Sequence, residues 1–127
     1  MTEAQLILVL DDSPTMRASV AFTLWAEGYH VRTVATRQEA LAQLRRSERP
    51  CLLVLGQSFA QRMPRLRRFG VPVVVLGAER GGHSAANAGG AVGVLCKPVT
   101  DTKLLAVVRR HCGPPREQQG GSADANL

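Results

Sequence analysis

Three short, unbroken apolar runs, Leu6 to Leu10, Leu52 to Leu55 and Val71 to Leu76, constrain this chain more than any other feature. Each is too short to span a bilayer and rich in branched residues, which suits strands buried on both faces of a parallel sheet. Val31 to Ala35 is a more polar run, interrupted by Arg32 and Thr33, and reads as an edge strand. Ala91 to Leu95 is a weaker fifth.

Helix signals alternate with these runs. Ser13 followed by Pro14 reads as an N-cap and first turn, after which Met16, Val20 and Leu24 recur at spacing four until Gly28. Thr36-Arg-Gln-Glu39 forms a capping box, with hydroxyl and carboxylate satisfying free amides at a helix start, and Ala40, Leu41 and Leu44 then face inward. Thr100 caps a last helix through Leu104, Val107 and Val108, stopped by Gly113-Pro-Pro. Five strands alternating with helices predict a doubly wound α/β fold with helices on both faces of a parallel sheet. At 127 residues the chain has room for one domain, placed at 1–112. Residues 113–127, polar and rich in Gly, Ser and Gln, are read as a disordered tail.

Several classes are set aside by the same reading. Met1-Thr-Glu-Ala-Gln lacks the basic and apolar regions of a secretory signal, so the cytoplasm is the expected location, with no membrane partner. Cys51, Cys96 and Cys112 lack zinc-site spacing, and their odd count argues against a disulfide framework, so reduced structural cysteines are expected. His30, His83 and His111 are too dispersed for a metal site. The formal charge is +6, and all but Lys97 and Lys103 of the sixteen basic residues are arginine. That bias alone does not establish a nucleic-acid partner.

In doubly wound sheets ligands sit at the carboxyl ends of the strands, where Asp11, Asp12, Gly56, Gly77 and Lys97 all fall. Paired acids there can hold magnesium through oxygen, and an ammonium can bind a phosphoryl oxygen or balance the acids.

These residues carry a resemblance to the response-regulator receiver family of two-component signalling, of the chemotaxis-regulator kind, from about Gln5 to Arg110. The matching pieces are Leu-Val-Leu-Asp-Asp-Ser-Pro-Thr-Met-Arg (8 to 17), Ala-Glu-Gly-Tyr (26 to 29), Glu-Ala-Leu (39 to 41), Pro-Cys-Leu-Leu-Val-Leu (50 to 55), Val-Pro-Val-Val-Val-Leu (71 to 76) and Gly-Ala-Val-Gly-Val-Leu-Cys-Lys-Pro (90 to 98). The resemblance implies a flavodoxin-like sheet of strand order 2-1-3-4-5. It also exposes departures. Where the family has its phosphoacceptor aspartate, after the third strand, this chain has Gly56. The hydroxyl residue after the fourth strand is Gly77, and the switch aromatic of the fifth is Val94. The segments after Gly56 and from Arg80 to Gly90 are short or glycine-flanked, so the third and fourth helices are expected to be short or frayed.

The resemblance therefore implies an atypical receiver with a vestigial pocket of Asp11, Asp12 and Lys97, in which a structural salt bridge is set against weak magnesium binding. Ser58 is an available hydroxyl with no base marked near it, and neither catalysis nor a cofactor is expected. Two surfaces are candidates for binding. Phe22 and Trp25 lie opposite the Met16, Val20, Leu24 stripe, as a docking anchor for a protein partner or a second copy, or else packed on the last helix. Between Gln43 and Gly70, Arg45, Arg46, Arg49, Arg62, Arg65, Arg67 and Arg68 stand against the single acid Glu48 and form either a solvated surface or a site for a nucleotide second messenger or nucleic acid. The expected function is a phosphorylation-independent adaptor in bacterial-type signalling, with the arginine-surface binding module as its alternative.

Overall fold

The computed structural model describes residues 6–45, 49–61, 70–78, 90–96 and 99–115. Five strands, β1 (Leu6–Leu10), β2 (His30–Val34), β3 (Leu52–Gly56), β4 (Val73–Ala78) and β5 (Gly93–Cys96), form one sheet in the order β2-β1-β3-β4-β5. Every pairing is parallel. The helices are α1 (Pro14–Ala26), α2 (Arg37–Leu44), α3 (Gln57–Gln61) and α4 (Asp101–Cys112).

The continuous apolar runs follow from a sheet covered on both faces. Alternate residues Ile7, Val9, Leu52, Val54, Val74 and Leu76 pack with Val20 and Leu24 of α1 and with Leu104 and Val108 of α4. The intervening residues Leu8, Leu10, Leu53, Leu55, Val73 and Val75 pack with Ala40 and Leu44 of α2 and Phe59 of α3. Edge strand β2 alone is mostly open to solvent, which is why its sequence is polar.

The helix starts read from the sequence are present. Ser13 Oγ accepts from Met16 N at 3.2 Å, and Thr36 accepts from Glu39 N at 3.1 Å while Glu39 Oε1 accepts from Thr36 N. Thr100 caps α4 by accepting from Lys103 N, with Asp101 in the first turn and Arg109, Arg110 and His111 in the last, charges that suit the helix dipole. One inward position of α2 differs. Gln43 is buried and Leu41 only half-buried, because 40, 43 and 44 form the tighter stripe on a single turn.

α3 is described over Gln57–Gln61; how far it extends beyond Gln61, and the helix expected within 80–90, lie outside the described residues. Residues 113–115, counted with the tail, pack against the domain instead: the Tyr29 hydroxyl donates to Gly113 O at 2.7 Å, and Pro115 lies against Gly28. Residues 116–127 lie outside the described residues.

The expectation of reduced cysteines is corrected for two of the three. Cys51, just before β3, and Cys112, the last residue of α4, form a disulfide with a Cα–Cα separation of 5.5 Å across 61 residues of sequence. Spacing along the chain could not show this, because only the crossover of α4 onto the sheet brings them together. Among the described residues no helix is long and apolar enough to cross a membrane.

Candidate functional site

The carboxyl ends of β1 and β3 are adjacent in the sheet, so Asp11, Asp12 and Gly56 meet there. Asp11 is buried, and its Oδ1 accepts from Ser13 N at 2.9 Å. The Arg17 guanidinium, one turn into α1, donates to the Asp11 carbonyl at 2.7 Å. These bonds turn the carboxylate inward over β3. A Cβ on Gly56 would stand 2.7 Å from Asp11 Oδ2 and 2.8 Å from its Cγ. The Asp11 carboxylate thus occupies the space that a side chain at residue 56 would need.

Burial is the main cause pushing the Asp11 carboxyl above its ordinary value of 3.8; the neighbouring Asp12 adds to it, while the Ser13 N–H and Arg17 pull the other way. The folded state therefore holds the Asp11 proton more tightly than the unfolded chain does. Stability is lost as pH rises from the unfolded value through the folded one, the reverse of a salt-bridged carboxylate. Asp11→Asn keeps an oxygen for Ser13 N–H and abolishes this loss. Urea denaturation at pH 4 and pH 7 should show the variant gaining on the wild-type chain as pH rises, and a variant that loses ground over that interval contradicts the assignment.

Asp12 is exposed and accepts from the Ser58 hydroxyl at 3.0 Å. Ser58 and Asp12 are 46 residues apart in sequence and meet only because α3 starts directly after β3. This bond ties α3 to the acidic loop. Lys97 lies outside the described residues, so its expected salt bridge does too.

Gly77 is the second departure with a structural commitment. Its φ is +84°, and the β4–β5 register skips from Leu76↔Leu95 to Ala78↔Cys96, so it is the extra residue of a bulge. β4 thereby runs past its expected end at Leu76. Val94 sits on β5 opposite Val75 and packs half-buried on the α2–α3 side of the core.

The donor set does not fit a resident magnesium ion. Asp11 is held by Ser13 over Gly56, Asp12 is engaged by Ser58, and residue 56 brings no third carboxylate. Among the described residues no group of three His, Cys, Asp or Glu is placed to bind a metal.

Phe22 and Trp25 are each 67% exposed, with ring centroids 6.4 Å apart. Together with Ala21, Val31 and Thr33 they line a shallow groove of about 340 Å³ between α1 and the edge strand β2. They do not form part of the α1–α4 core. Of the arginine set, Arg45 and Arg49 are described and exposed; Arg46, Arg62, Arg65, Arg67 and Arg68 lie outside the described residues. Arg49 donates to Gly70 O at 2.9 Å, a bond that links the approaches to β3 and β4.

No protein-family model and no curated protein matches the chain. Solved structures do. The Vibrio cholerae chemotaxis protein CheY4 is 27% identical, with a TM-score of 0.72, covering 87% of this chain and 99% of that one. A CheY-like response regulator receiver domain protein from Methanospirillum hungatei gives a TM-score of 0.72 at 22% identity, covering 85% and 93%. The receiver domain of sensor histidine kinase PA1611 from Pseudomonas aeruginosa, whose active-site cleft holds a magnesium ion, gives 0.74 at 22%, covering 87% and 98%. The last two bear on the fold alone. The chain thus has the fold of these receiver domains, and its sequence is similar, at 27% identity, to that of the chemotaxis protein CheY4.

Proposed function

We propose that the chain is a receiver-type signalling module that acts without phosphorylation and without catalysis, through a protein partner docked on the outer surface of α1. The observation that carries this reading is the Asp11 carboxylate seated against Gly56, 2.7 Å from where a Cβ would stand. In the family resemblance, residue 56 is the acceptor position. Glycine offers no oxygen to a phosphoryl group, and the neighbouring acid fills the space. Gly77, committed to a bulge at positive φ, supplies no hydroxyl either.

With the pocket closed in this way, the exposed features that remain favour recognition. Phe22 and Trp25 are a pair of large apolar side chains beside a groove on a helix whose only charged residue is Arg17. Central aromatics of this kind supply much of the binding energy in protein interfaces. A second copy of the chain competes with a different protein for the same surface, and light scattering of the purified chain distinguishes them.

The test of phosphorylation independence is direct. Incubation with acetyl phosphate and magnesium should leave the intact mass unchanged. A stoichiometric, base-labile adduct of phosphoryl mass, mapped to Asp11 or Asp12, overturns the reading.

A further inference from the structure

We propose that Cys51 and Cys112 are a reversible redox site, a dithiol that closes to the cystine by exchange with a small-molecule disulfide and thereby pins the last turn of α4 to the base of the sheet. The inference is independent of how the acidic pocket is read. Four observations carry it.

The first is access. Both cysteines are partly buried and pack at the margin of the core, one at the entry to β3 and the other at the end of α4. Exchange needs a thiolate to reach a disulfide sulfur, which a fully buried pair would prevent. The second is that the reduced state is also accommodated. Cys51 Sγ lies 3.4 Å from Leu6 O, so a thiol there has an acceptor for its hydrogen.

The third observation is that α4 has other attachments. Leu104 and Val108 are buried at 2% and 0% exposure, and the Tyr29 hydroxyl holds Gly113 O at 2.7 Å. Burial raises the Tyr29 phenol above its ordinary value, which keeps it a donor. Opening the disulfide therefore loosens the last turn and leaves the helix seated. The fourth is location. Arg109 reaches Glu27 at 3.4 Å, and Pro115 lies against Gly28, so the pinned turn abuts the end of α1, the helix that carries Phe22 and Trp25.

The chemistry balances with oxidised glutathione as the two-electron oxidant. One cysteine thiolate attacks a glutathione sulfur, forming a mixed disulfide and expelling one glutathione thiolate. The second cysteine thiolate then attacks the protein sulfur of that mixed disulfide, forming the Cys51–Cys112 bond and releasing the second glutathione. Two cysteine thiols are oxidised, one glutathione disulfide is reduced, and the two cysteine protons end on the two glutathione thiols.

The test equilibrates the full chain in mixtures of reduced and oxidised glutathione, traps thiols by alkylation, and reads redox state by intact mass and local opening by amide hydrogen exchange. The pair should pass from dithiol to cystine within the range of the mixtures, and amides of residues 109–113 should exchange at least about tenfold more slowly in the cystine, with β1 and β3 amides unchanged. Cys51→Ser and Cys112→Ser, as separate variants, should each exchange fast at 109–113 in both oxidising and reducing mixtures. The inference is overturned by a pair that stays oxidised in excess reduced glutathione, by one that never closes, or by exchange at 109–113 that does not depend on redox state. Loss of protection throughout the sheet on reduction also overturns it, since the disulfide would then be a global staple.

Discussion

Leu24→Ala is expected to lower folding stability by about 2–5 kcal/mol, whereas Trp25→Ala, one residue further along the same helix, should change it by no more than about 0.5 kcal/mol. The two side chains leave α1 about 100° apart, Leu24 into the core and Trp25 toward solvent. Leu24 is fully buried among Val20, Tyr29 and the side of the sheet that α4 also covers, so truncation leaves a cavity in a close-packed layer. Trp25 is 67% exposed and touches Phe22 across 6.4 Å, so its removal uncovers little. The expected separation is one of roles. Denaturant titration of both variants, run beside a binding or light-scattering assay, should show Leu24→Ala unstable and Trp25→Ala stable but impaired in association. Equal destabilisation by the two would place the aromatic pair in the core and remove it as an interaction surface.

Placing a carboxylate at residue 56 should not create a phosphoacceptor. In Gly56→Asp the new Cβ arrives 2.7 Å from Asp11 Oδ2, well inside van der Waals contact, and Asp11 cannot rotate away without giving up the Ser13 N–H. The added carboxylate also lies beside Asp11 and Asp12, two like charges, one of them already desolvated. Overpacking and charge together are expected to cost about 1–3 kcal/mol. Intact mass after acetyl phosphate treatment should again show no adduct. A variant as stable as the parent that takes up one phosphoryl group would show that Asp11 yields its place readily, and the closed-pocket reading would fail with it.

Much of the fold was legible because its signals are local or periodic. The buried strands announced themselves as continuous apolar runs, and each cap needed only residues within four positions of one another, as at Ser13, Thr36 and Thr100. Strand limits shifted by one or two residues, since pairing with a neighbour, not composition, decides where a strand stops. At β4 the shift had a cause: Gly77 continues the strand as a bulge, past the apolar run that ends at Leu76. The pocket was legible only as a set of positions. That Asp11 lies against Gly56, that Ser58 bonds Asp12 and that Cys51 joins Cys112 are contacts over 45, 46 and 61 residues, created by the crossovers. Counting cysteines misled because pairing depends on which ends of the sheet the chain visits, and parity carries no such information.

The two glycines at the head of the sheet also bear on how this protein could change over generations. Gly56 is confined by the Asp11 carboxylate, and Gly77 by a backbone at φ +84° that disfavours any branched or hydroxylated side chain. A single substitution at either position passes through a weaker protein before any chemistry is gained, and the benefit of one depends on the other and on a new place for Asp11. A substitution at either position is therefore expected to persist only where a compensating change elsewhere restores the lost stability. Variation is freer at the outer face of α1, where Phe22 and Trp25 can change without disturbing the core, so exchanges there should be tolerated more readily than exchanges at either glycine.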